Sequence, residues 1–425
     1  MEHVKKVLLL SSSDDNGAHL YVVKVAEVLL EMGHEVKMLV KRKTQKKDYI
    51  LQYQYPPVKE SLTEKISWRI REKIMPSQPL HIIDGEYAFI SVDEQKINTD
   101  PQEIIRQVGF KPDFIFSGMT NLFMSSTDIR NLQKICGAQV YTMMVDMNHL
   151  TGGCHFAWDC DGYIKGCPEY CPAIGDNPRA KINFKTKYRN ATEGNWQCIA
   201  SSSWTQKQIE RSKIYGRQQE SYSFNSVIDT ELLNAKNKDI AKRVFNLDPD
   251  TFYILCGAQS NNLRKGFEYL KEAIEIFAGQ CAGSRKISLL LVSHVKNSPF
   301  DEISINKAYL PFIHDYRLLS LLYQAADVFV NSSIEDSGPM MVSEALASGT
   351  PVVGFDMGVV NNMVITGYNG YRAELRNSAD LAKGIHEIYA LDAATYQQYS
   401  QNAVQQVEAY SSYSYVRKEL ERILN

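Results

Sequence analysis

The chain alternates short apolar runs with longer amphipathic stretches, and this pattern predicts strands separated by helices. Residues 4–10 predict a buried strand, residues 11–17 a polar turn that contains glycine, and residues 18–32 an amphipathic helix. Residues 33–40 return as a second strand. Strand, polar loop, helix and strand form a βαβ unit, which is the building block of parallel sheets covered by helices.

The same pattern runs through both halves of the chain. In the first half, further strands are predicted at residues 113–116, 138–145 and 197–200. The second half repeats it, with strands at residues 252–256, 287–292, 328–330 and 350–355 and helices at residues 266–277 and 318–326. Because 425 residues are too many for one hydrophobic core, we expect two domains. The predicted fold class is α/β, with two doubly wound, Rossmann-like domains facing across a cleft.

A predicted helix start near residue 340 has the features of an anion site. Gly338-Pro339 suits the entrance of a helix, since proline is tolerated where the amide has no helical partner, and Gly349 suits its exit. The free backbone N–H groups near Met340 and Met341, together with the helix dipole, favour a phosphate in front of them.

Two acidic residues flank this predicted phosphate site. Glu344 lies in the first turns of the helix, and Glu335 lies in the loop before it. The ligand that fits is a diphosphate carrying a polyhydroxyl group on each side, one a ribose and the other a sugar.

The segment 331–355 resembles the E-x7-E-A-x-A-x-G-x-P-V-V element of the retaining glycosyltransferases of family 4, which have the GT-B fold. The longer spacing Glu335-x8-Glu344 is similar to that of a branch that includes capsule and colanic-acid transferases. Under the strict spacing, Asp336 would take the first position. We favour Glu335 as the acid that faces the sugar, although the spacing leaves both acids open, and we assign Glu344 to the ribose.

The donor side of this resemblance continues upstream. Arg264, Lys265 and Gly266 match the R-K-G element of the family, in which two adjacent cations neutralise the leaving diphosphate. A solvated basic helix start is the alternative, although cations at that end of a helix favour an anionic partner. Gly17 matches the loop by which the first domain approaches the donor phosphate, where a small residue permits close contact. By resemblance, Lys265 and Glu335 are catalytic.

The acceptor side departs from the family pattern. The segment that begins at Asp146 resembles H-D-M-W-x-F-T-G-G-C-H, but Val145 stands where the leading histidine belongs. Asp146 is our candidate for orienting or deprotonating the acceptor hydroxyl, and a structural aspartate at a strand end is the alternative. A second family histidine is replaced by Ser117-Gly118, and His149 is a candidate to compensate for the lost imidazole.

Four of the eight cysteines lie in one loop, at residues 151–175. They are Cys154, Cys160, Cys167 and Cys171. Such a loop has little apolar surface, so that another interaction must hold it, and in a reducing compartment a structural zinc site serves this purpose. We predict zinc, with reduced thiols and disulfides as the alternatives.

Charge and hydropathy limit the function classes. The 47 basic and 49 acidic residues nearly balance, which argues against nucleic acid as a partner. No stretch approaches the roughly 18 apolar residues of a membrane span, and we expect a cytoplasmic protein. Residues 41–73 hold ten basic and four acidic residues, a net charge of +6. A helix over residues 66–74 is a candidate for peripheral contact with the inner membrane, and an ordinary solvated helix is the alternative.

The sequence therefore predicts a retaining glycosyltransferase. It would move a sugar from a nucleoside diphosphate sugar to a hydroxyl of a bacterial surface glycan, lipid-linked if the membrane contact holds. No catalytic metal is expected, because fixed cations and helix amides replace it. A sugar-nucleotide-binding protein with impaired catalysis and a sugar-nucleotide epimerase are the competing interpretations.

We predict an acceptor-side domain at residues 1–221, a donor-binding domain at 222–404 and a helix at 405–425 that, by resemblance, crosses back to the first domain.

Overall fold

A computed structural model gives the fold of most of the chain. It describes residues 4–15, 17–56, 80–225, 227–256, 262–281, 285–292, 299–311, 313, 315–338 and 340–425. Pro339 and the predicted helix over residues 66–74 lie outside the described residues. None of the helices that the structure describes has the length and the apolar run required to cross a membrane.

The first sheet has seven parallel strands in the order β3-β2-β1-β4-β5-β6-β7. Its strands are β1 (Lys6–Ser13), β2 (Glu35–Arg42), β3 (Ile50–Gln52), β4 (Phe114–Ser117), β5 (Gln139–Met144), β6 (Gln197–Ala200) and β7 (Tyr222–Ser223). The helices around it are α1 (Gly17–Glu31), α2 (Pro101–Val108), α3 (Ser126–Cys136), α4 (Gly162–Lys165), α5 (Arg179–Gly194) and α6 (Ser203–Arg211). Residues 7–10 of β1 are fully buried because helices cover both faces of the sheet.

The second sheet has six parallel strands in the order β10-β9-β8-β11-β12-β13. Its strands are β8 (Phe252–Cys256), β9 (Ile287–Val292), β10 (Asn306–Leu310), β11 (Val328–Asn331), β12 (Val352–Phe355) and β13 (Gly370–Ala373). The helices that accompany it are α7 (Lys238–Val244), α8 (Phe267–Gln280), α9 (Tyr316–Ala325), α10 (Met340–Ala347), α11 (Val360–Met363), α12 (Ser378–Tyr389) and α13 (Ala393–Tyr410).

The last helix, α14 (Tyr413–Leu424), packs against the first sheet and α1. Its Tyr413 hydroxyl donates to Oε2 of Glu27 in α1 at 2.9 Å, and the Tyr141 hydroxyl of β5 donates to the Ile423 carbonyl at 3.3 Å. This last helix thus lies against the first domain. The boundaries at residues 221 and 404 stay predictions, although β7 extends the first sheet to Ser223 and residue 404 lies inside α13.

The predicted strands agree with the structure to within a few residues, but four strands were missed. They are β3, β7, β10 and β13, and each lies at an edge of its sheet. One side of each lacks a neighbouring strand, and β3 and β7 have only three and two residues, so that these strands give a weaker apolar signal than central strands. The prediction therefore found the interior of both sheets and missed their margins.

Both sheets reverse their strand order at one point, which defines where a ligand binds. In the first sheet β1 lies between β2 and β4, and in the second β8 lies between β9 and β11. In open α/β sheets the crevice at the carboxyl ends of such strands is the usual ligand site. The loops that follow β1, β4, β8 and β11 therefore position the candidate site.

Candidate active site

A cleft of about 530 Å³ lies between the two sheets. One wall is formed by the start of α1 and the segments that follow β4 and β5, and the other by the segments that follow β8 and β11 and by the start of α10. Its volume lies in the range of small-molecule sites. The predicted donor-binding residues that line it are Gly17, Arg264, Lys265, Gly338, Met340, Met341 and Glu344.

Two cations converge on one carboxylate in this cleft. Nη1 of Arg264 and Nζ of Lys265 donate to the same oxygen, Oδ2 of Asp336, at 2.8 and 2.7 Å. Burial alone would raise the pKa of Asp336, but Lys265 and Arg264 outweigh it and lower the pKa below its usual value. The carboxylate is therefore ionised and partly neutralises a cation pair that suits an anionic ligand.

Gly266 permits the close packing that holds this cation pair. Its φ is +62°, and a Cβ there would lie 2.0 Å from the Ser332 carbonyl oxygen. The Ser332 hydroxyl in turn donates to the Lys265 carbonyl at 2.8 Å. Any side chain at position 266 would push the loop after β8 away from the loop after β11.

The two neighbouring acids differ in their position relative to the cleft, and the assignment of the acid that faces the sugar stays a prediction. Asp336, and not Glu335, lines the cleft, so that the pair that faces it is Asp336-x7-Glu344, with the strict family spacing. The backbone N–H groups of Ile334 and Glu335 both donate to the Arg264 carbonyl, at 2.8 and 3.3 Å, which fixes the loop in this orientation. The Glu335 side chain is 9% exposed, and burial raises its pKa to about 7, with the nearby Asp336 adding to the shift.

Glu344 is held from within its own domain. The Tyr323 hydroxyl donates to its Oε2 at 2.8 Å, and burial raises the pKa of Glu344 against the effects of Tyr323 and of Lys24. Among the described residues no hydrogen bond reaches Oε1, which leaves this oxygen for a ligand hydroxyl. The carboxyl group lies beside the start of α10, whose first N–H groups have no partner within the helix.

On the opposite wall, Asp146 is paired with a histidine that the sequence analysis did not assign to the site. Nδ1 of His155 lies 2.7 Å from Oδ2 of Asp146, and the Asn148 N–H donates to Oδ1 at 2.7 Å. Nε2 of His155 donates to the Ile90 carbonyl at 3.1 Å. Burial disfavours both charges, but their mutual attraction outweighs it, lowering the pKa of Asp146 and raising the pKa of His155.

This geometry favours the structural alternative for Asp146. Both of its carboxylate oxygens accept a hydrogen bond, and a carboxylate of lowered pKa is a weak base. Because Asp146 and His155 both line the cleft, the pair presents an ordered polar surface to a ligand. The family segment H-D-M-W-x-F-T-G-G-C-H ends at His155, but the pairing of this histidine with Asp146 is set by the fold of the cysteine-rich loop.

His149 does not take the place of the missing family histidine in the cleft. Its Nε2 is hydrogen bonded to the Gly118 carbonyl at 2.8 Å, and burial lowers its pKa to about 4. It is therefore a neutral imidazole whose hydrogen bond to Gly118 holds the segment after β4 in place. The imidazole that lines the cleft is that of His155.

The four cysteines of the loop at residues 151–175 are free. A hydrogen bond from Cys154 lowers the pKa of Cys171 to about 6, and the same bond raises the pKa of Cys154. The described residues include no group of three or more His, Cys, Asp or Glu arranged to hold a metal ion. The four thiols are close enough to influence one another, since, in addition to burial, neighbouring cysteines help to raise the pKa values of Cys154, Cys160 and Cys167, and zinc at this loop stays a prediction.

Parts of the chain are similar in sequence to known proteins. A model of the family described as glycosyl transferases group 1 matches residues 301–406. A D-inositol 3-phosphate glycosyltransferase of Geodermatophilus obscurus is 39% identical over 19% of this chain and 18% of its own length. One of Pseudarthrobacter chlorophenolicus is 26% identical over 35% of this chain and 37% of its own length. The chain thus spans less than two fifths of either relative.

A solved structure supports the architecture over the whole length. The Anabaena protein HepE, in complex with UDP and glucose, aligns with a TM-score of 0.66 at 15% identity, and the alignment covers 99% of both chains. At this identity the likeness establishes the fold. The chain therefore has the GT-B fold of two Rossmann-like domains, and its residues 301–406 are similar to the group 1 glycosyl transferases.

Proposed function

We propose that this protein is a retaining glycosyltransferase of family 4 that uses a nucleoside diphosphate sugar. The observation that carries the proposal is the convergence of Arg264 and Lys265 on Asp336, beside the start of α10. Two adjacent cations and unpaired helix amides are the groups that a departing diphosphate requires. The family match at residues 301–406 and the UDP complex of HepE support the same ligand class.

In the proposed reaction, the bond between the anomeric carbon and the diphosphate oxygen breaks. Lys265, Arg264 and the amides of Met340 and Met341 stabilise the negative charge that develops on the diphosphate. Glu344 binds the ribose hydroxyls through its Oε1. We assign to Asp336 the role in sugar binding for which the sequence had left both acids open and for which we had favoured Glu335.

The acceptor hydroxyl attacks from the face that the diphosphate leaves, which retains the anomeric configuration. A new bond forms between the acceptor oxygen and the anomeric carbon, and the acceptor proton passes to an oxygen of the departing diphosphate. The Asp146–His155 pair orients the acceptor side of the cleft without taking this proton, because both carboxylate oxygens are already engaged.

We further propose a bacterial surface glycan as the acceptor, with a lipid-linked form at the inner membrane. The resemblance to capsule and colanic-acid transferases and the net charge of +6 over residues 41–73 support this class. Cosedimentation with vesicles that contain anionic lipid tests the membrane part. Binding that is equal with neutral and anionic vesicles, or absent with both, would remove the lipid-linked form.

The central experiment measures donor use. Wild-type protein is incubated with UDP-, GDP- and ADP-sugars in the presence and absence of glycan acceptors, and NMR establishes the anomeric configuration of the product. We expect Lys265→Ala to lower turnover by about 100-fold or more, because it removes one cation from the transition state. Lys286→Ala is the matched control, since Lys286 is an exposed lysine whose partner is Asp248.

The outcomes separate the competing functions. Conversion of the donor sugar without an acceptor would indicate an epimerase. Binding of nucleoside diphosphates without turnover of any donor would indicate a binding protein. An inverted product would contradict the retaining mechanism while leaving the transfer activity in place.

A further inference from the structure

An aromatic ring from the first domain supports the cationic site of the second domain. The guanidinium carbon of Arg264 lies 4.7 Å from the centre of the Phe156 ring, and both residues line the cleft. Arg264 follows β8 of the second sheet, whereas Phe156 belongs to the cysteine-rich loop of the first. The contact therefore spans the two domains at the place where the proposed diphosphate binds.

Arg264 has few other contacts that fix its plane. Nη1 donates to Asp336, while the buried Nε has no hydrogen-bond partner among the described residues. A guanidinium is planar and weakly hydrated, and it stacks readily on aromatic faces. A single hydrogen bond does not fix the plane of a guanidinium, whereas a ring that lies over it restricts the directions of its remaining N–H donors.

Hydrogen bonds to the first domain hold the loop that carries Phe156. The N–H groups of His155 and Phe156 donate to the Tyr87 carbonyl at 3.1 and 3.4 Å, and the Trp158 indole donates to the Glu86 carbonyl at 2.9 Å. Trp158 also packs against the core of the second domain. Phe156 is thus held by the first domain in a fixed position against the second.

We propose that Phe156 is a positioning residue for the donor diphosphate, acting through Arg264. The inference rests on the proposed function, since it requires a diphosphate in this cleft. Phe156 orients Arg264 before the ligand arrives, so that the guanidinium presents donors to a phosphate without first being ordered. Lys265 has no aromatic neighbour of this kind among the described contacts and acts as a point charge.

The test uses UDP as the probe and a double-mutant cycle. Phe156→Leu retains apolar volume but removes the aromatic face, and we expect it to weaken UDP binding by about 3- to 10-fold in calorimetry. Phe156→Tyr restores the face and should bind UDP within about twofold of wild type. In an Arg264→Ala background, Phe156→Leu should cause no further loss, because the pair then no longer exists.

Donor kinetics provide a readout that general damage to the fold does not reproduce. With the sugar nucleotide that the protein uses as donor, Phe156→Leu should raise the donor KM by the same factor as the UDP dissociation constant. The acceptor KM should stay unchanged. Circular dichroism and melting temperature check that the variant is folded, and Phe156→Met serves as a second variant of similar volume.

Three results would overturn the proposal. Folded Phe156→Leu that binds UDP as tightly as wild type removes the role of Phe156 and leaves the proposed function standing. Effects of Phe156→Leu and Arg264→Ala that simply add mean that the ring does not act through the guanidinium. Wild-type protein that binds no UDP, GDP or ADP removes the proposed function and this inference together.

Discussion

The side chain of Lys265 lies 2.7 Å from Oδ2 of Asp336, the same oxygen that Nη1 of Arg264 approaches to 2.8 Å. In this arrangement the carboxylate offsets positive charge that a diphosphate would otherwise meet. A ligand that enters the cleft competes with Asp336 for both cations. The acid at position 336 is therefore placed to affect donor binding as well as sugar recognition.

The roles of the two neighbouring acids can be separated by isosteric amides. We expect Asp336→Asn to lower sugar transfer by about 100-fold, since a charged group at the reacting sugar is lost. Glu335→Gln should retain activity within about threefold, because its side chain does not line the cleft. Steady-state kinetics on both variants check this. A larger loss in Glu335→Gln than in Asp336→Asn would restore the assignment of Glu335 to the sugar.

Glu335 should also affect the pH dependence of stability. Its folded-state pKa is raised to about 7, so that its contribution is most favourable below the unfolded-state value and is lost as the pH rises through 7. The total effect is of order 3 kcal/mol. Glu335→Gln, which cannot ionise, should therefore gain stability relative to wild type between pH 5 and pH 8, measured by urea unfolding. If the difference in unfolding free energy between the variant and wild type did not change with pH, the pKa of Glu335 would not be raised in the folded state.

The Asp146–His155 pair should also make the stability depend on pH, and here removal of one partner should destabilise the protein. The pKa of His155 is raised, so that its stabilising contribution is present below the unfolded-state pKa and lost as the pH rises through the folded-state value. The lowered pKa of Asp146 keeps its own contribution present above the unfolded-state value and loses it as the pH falls through the folded-state one. His155→Gln should cost about 3 kcal/mol near pH 6 and less near pH 9, because it leaves Asp146 buried without its charged partner.

Unfolding of His155→Gln and Asp146→Asn, alone and combined, measures this coupling. The double variant should lose less stability than the sum of the single variants, since the second substitution removes a group that the first has already left unpaired. Additive losses at pH 6 would contradict the pair.

The zinc prediction for the cysteine-rich loop has a direct measurement. If Cys154, Cys160, Cys167 and Cys171 bind zinc, protein purified without chelator should hold one zinc per chain, and removal of the metal should lower the melting temperature. Cys171→Ser should then reduce the zinc content, whereas Cys281→Ser, outside the loop, should not. Protein without zinc and with four titratable thiols in the loop would favour the reduced alternative.

The sequence was informative where structure depends on neighbours along the chain. The apolar runs of β1, β8 and β9 are central strands buried on both faces, so their pattern alone identifies them. The edge strand β3 was missed because it has only three residues, and β10 was missed because it begins with Asn306-Lys307 and is only partly buried. The R-K-G element and the start of α10 are each continuous in sequence, so that both could be recognised as donor-binding candidates without the structure, and that role stays a prediction.

The contacts that define the site across the cleft were beyond the reach of the sequence. His155 pairs with Asp146, and Phe156 stacks on Arg264, only because the cysteine-rich loop folds between the two sheets. Which of Glu335 and Asp336 lines the cleft likewise depends on tertiary structure, through the hydrogen bonds from Ile334 and Glu335 to the Arg264 carbonyl.

The sequence by itself thus determined the α/β class, the two sheets and the cationic and helix-start elements, because each depends on local periodicity, turn chemistry or a contiguous motif. Tertiary structure alone decided which acid faces the cleft and which histidine and aromatic ring complete its walls. Those choices follow from contacts between segments that are separated along the chain, from nine residues for Asp146 and His155 to 108 residues for Phe156 and Arg264. Side-chain direction at such contacts is set by the partner rather than by the local sequence.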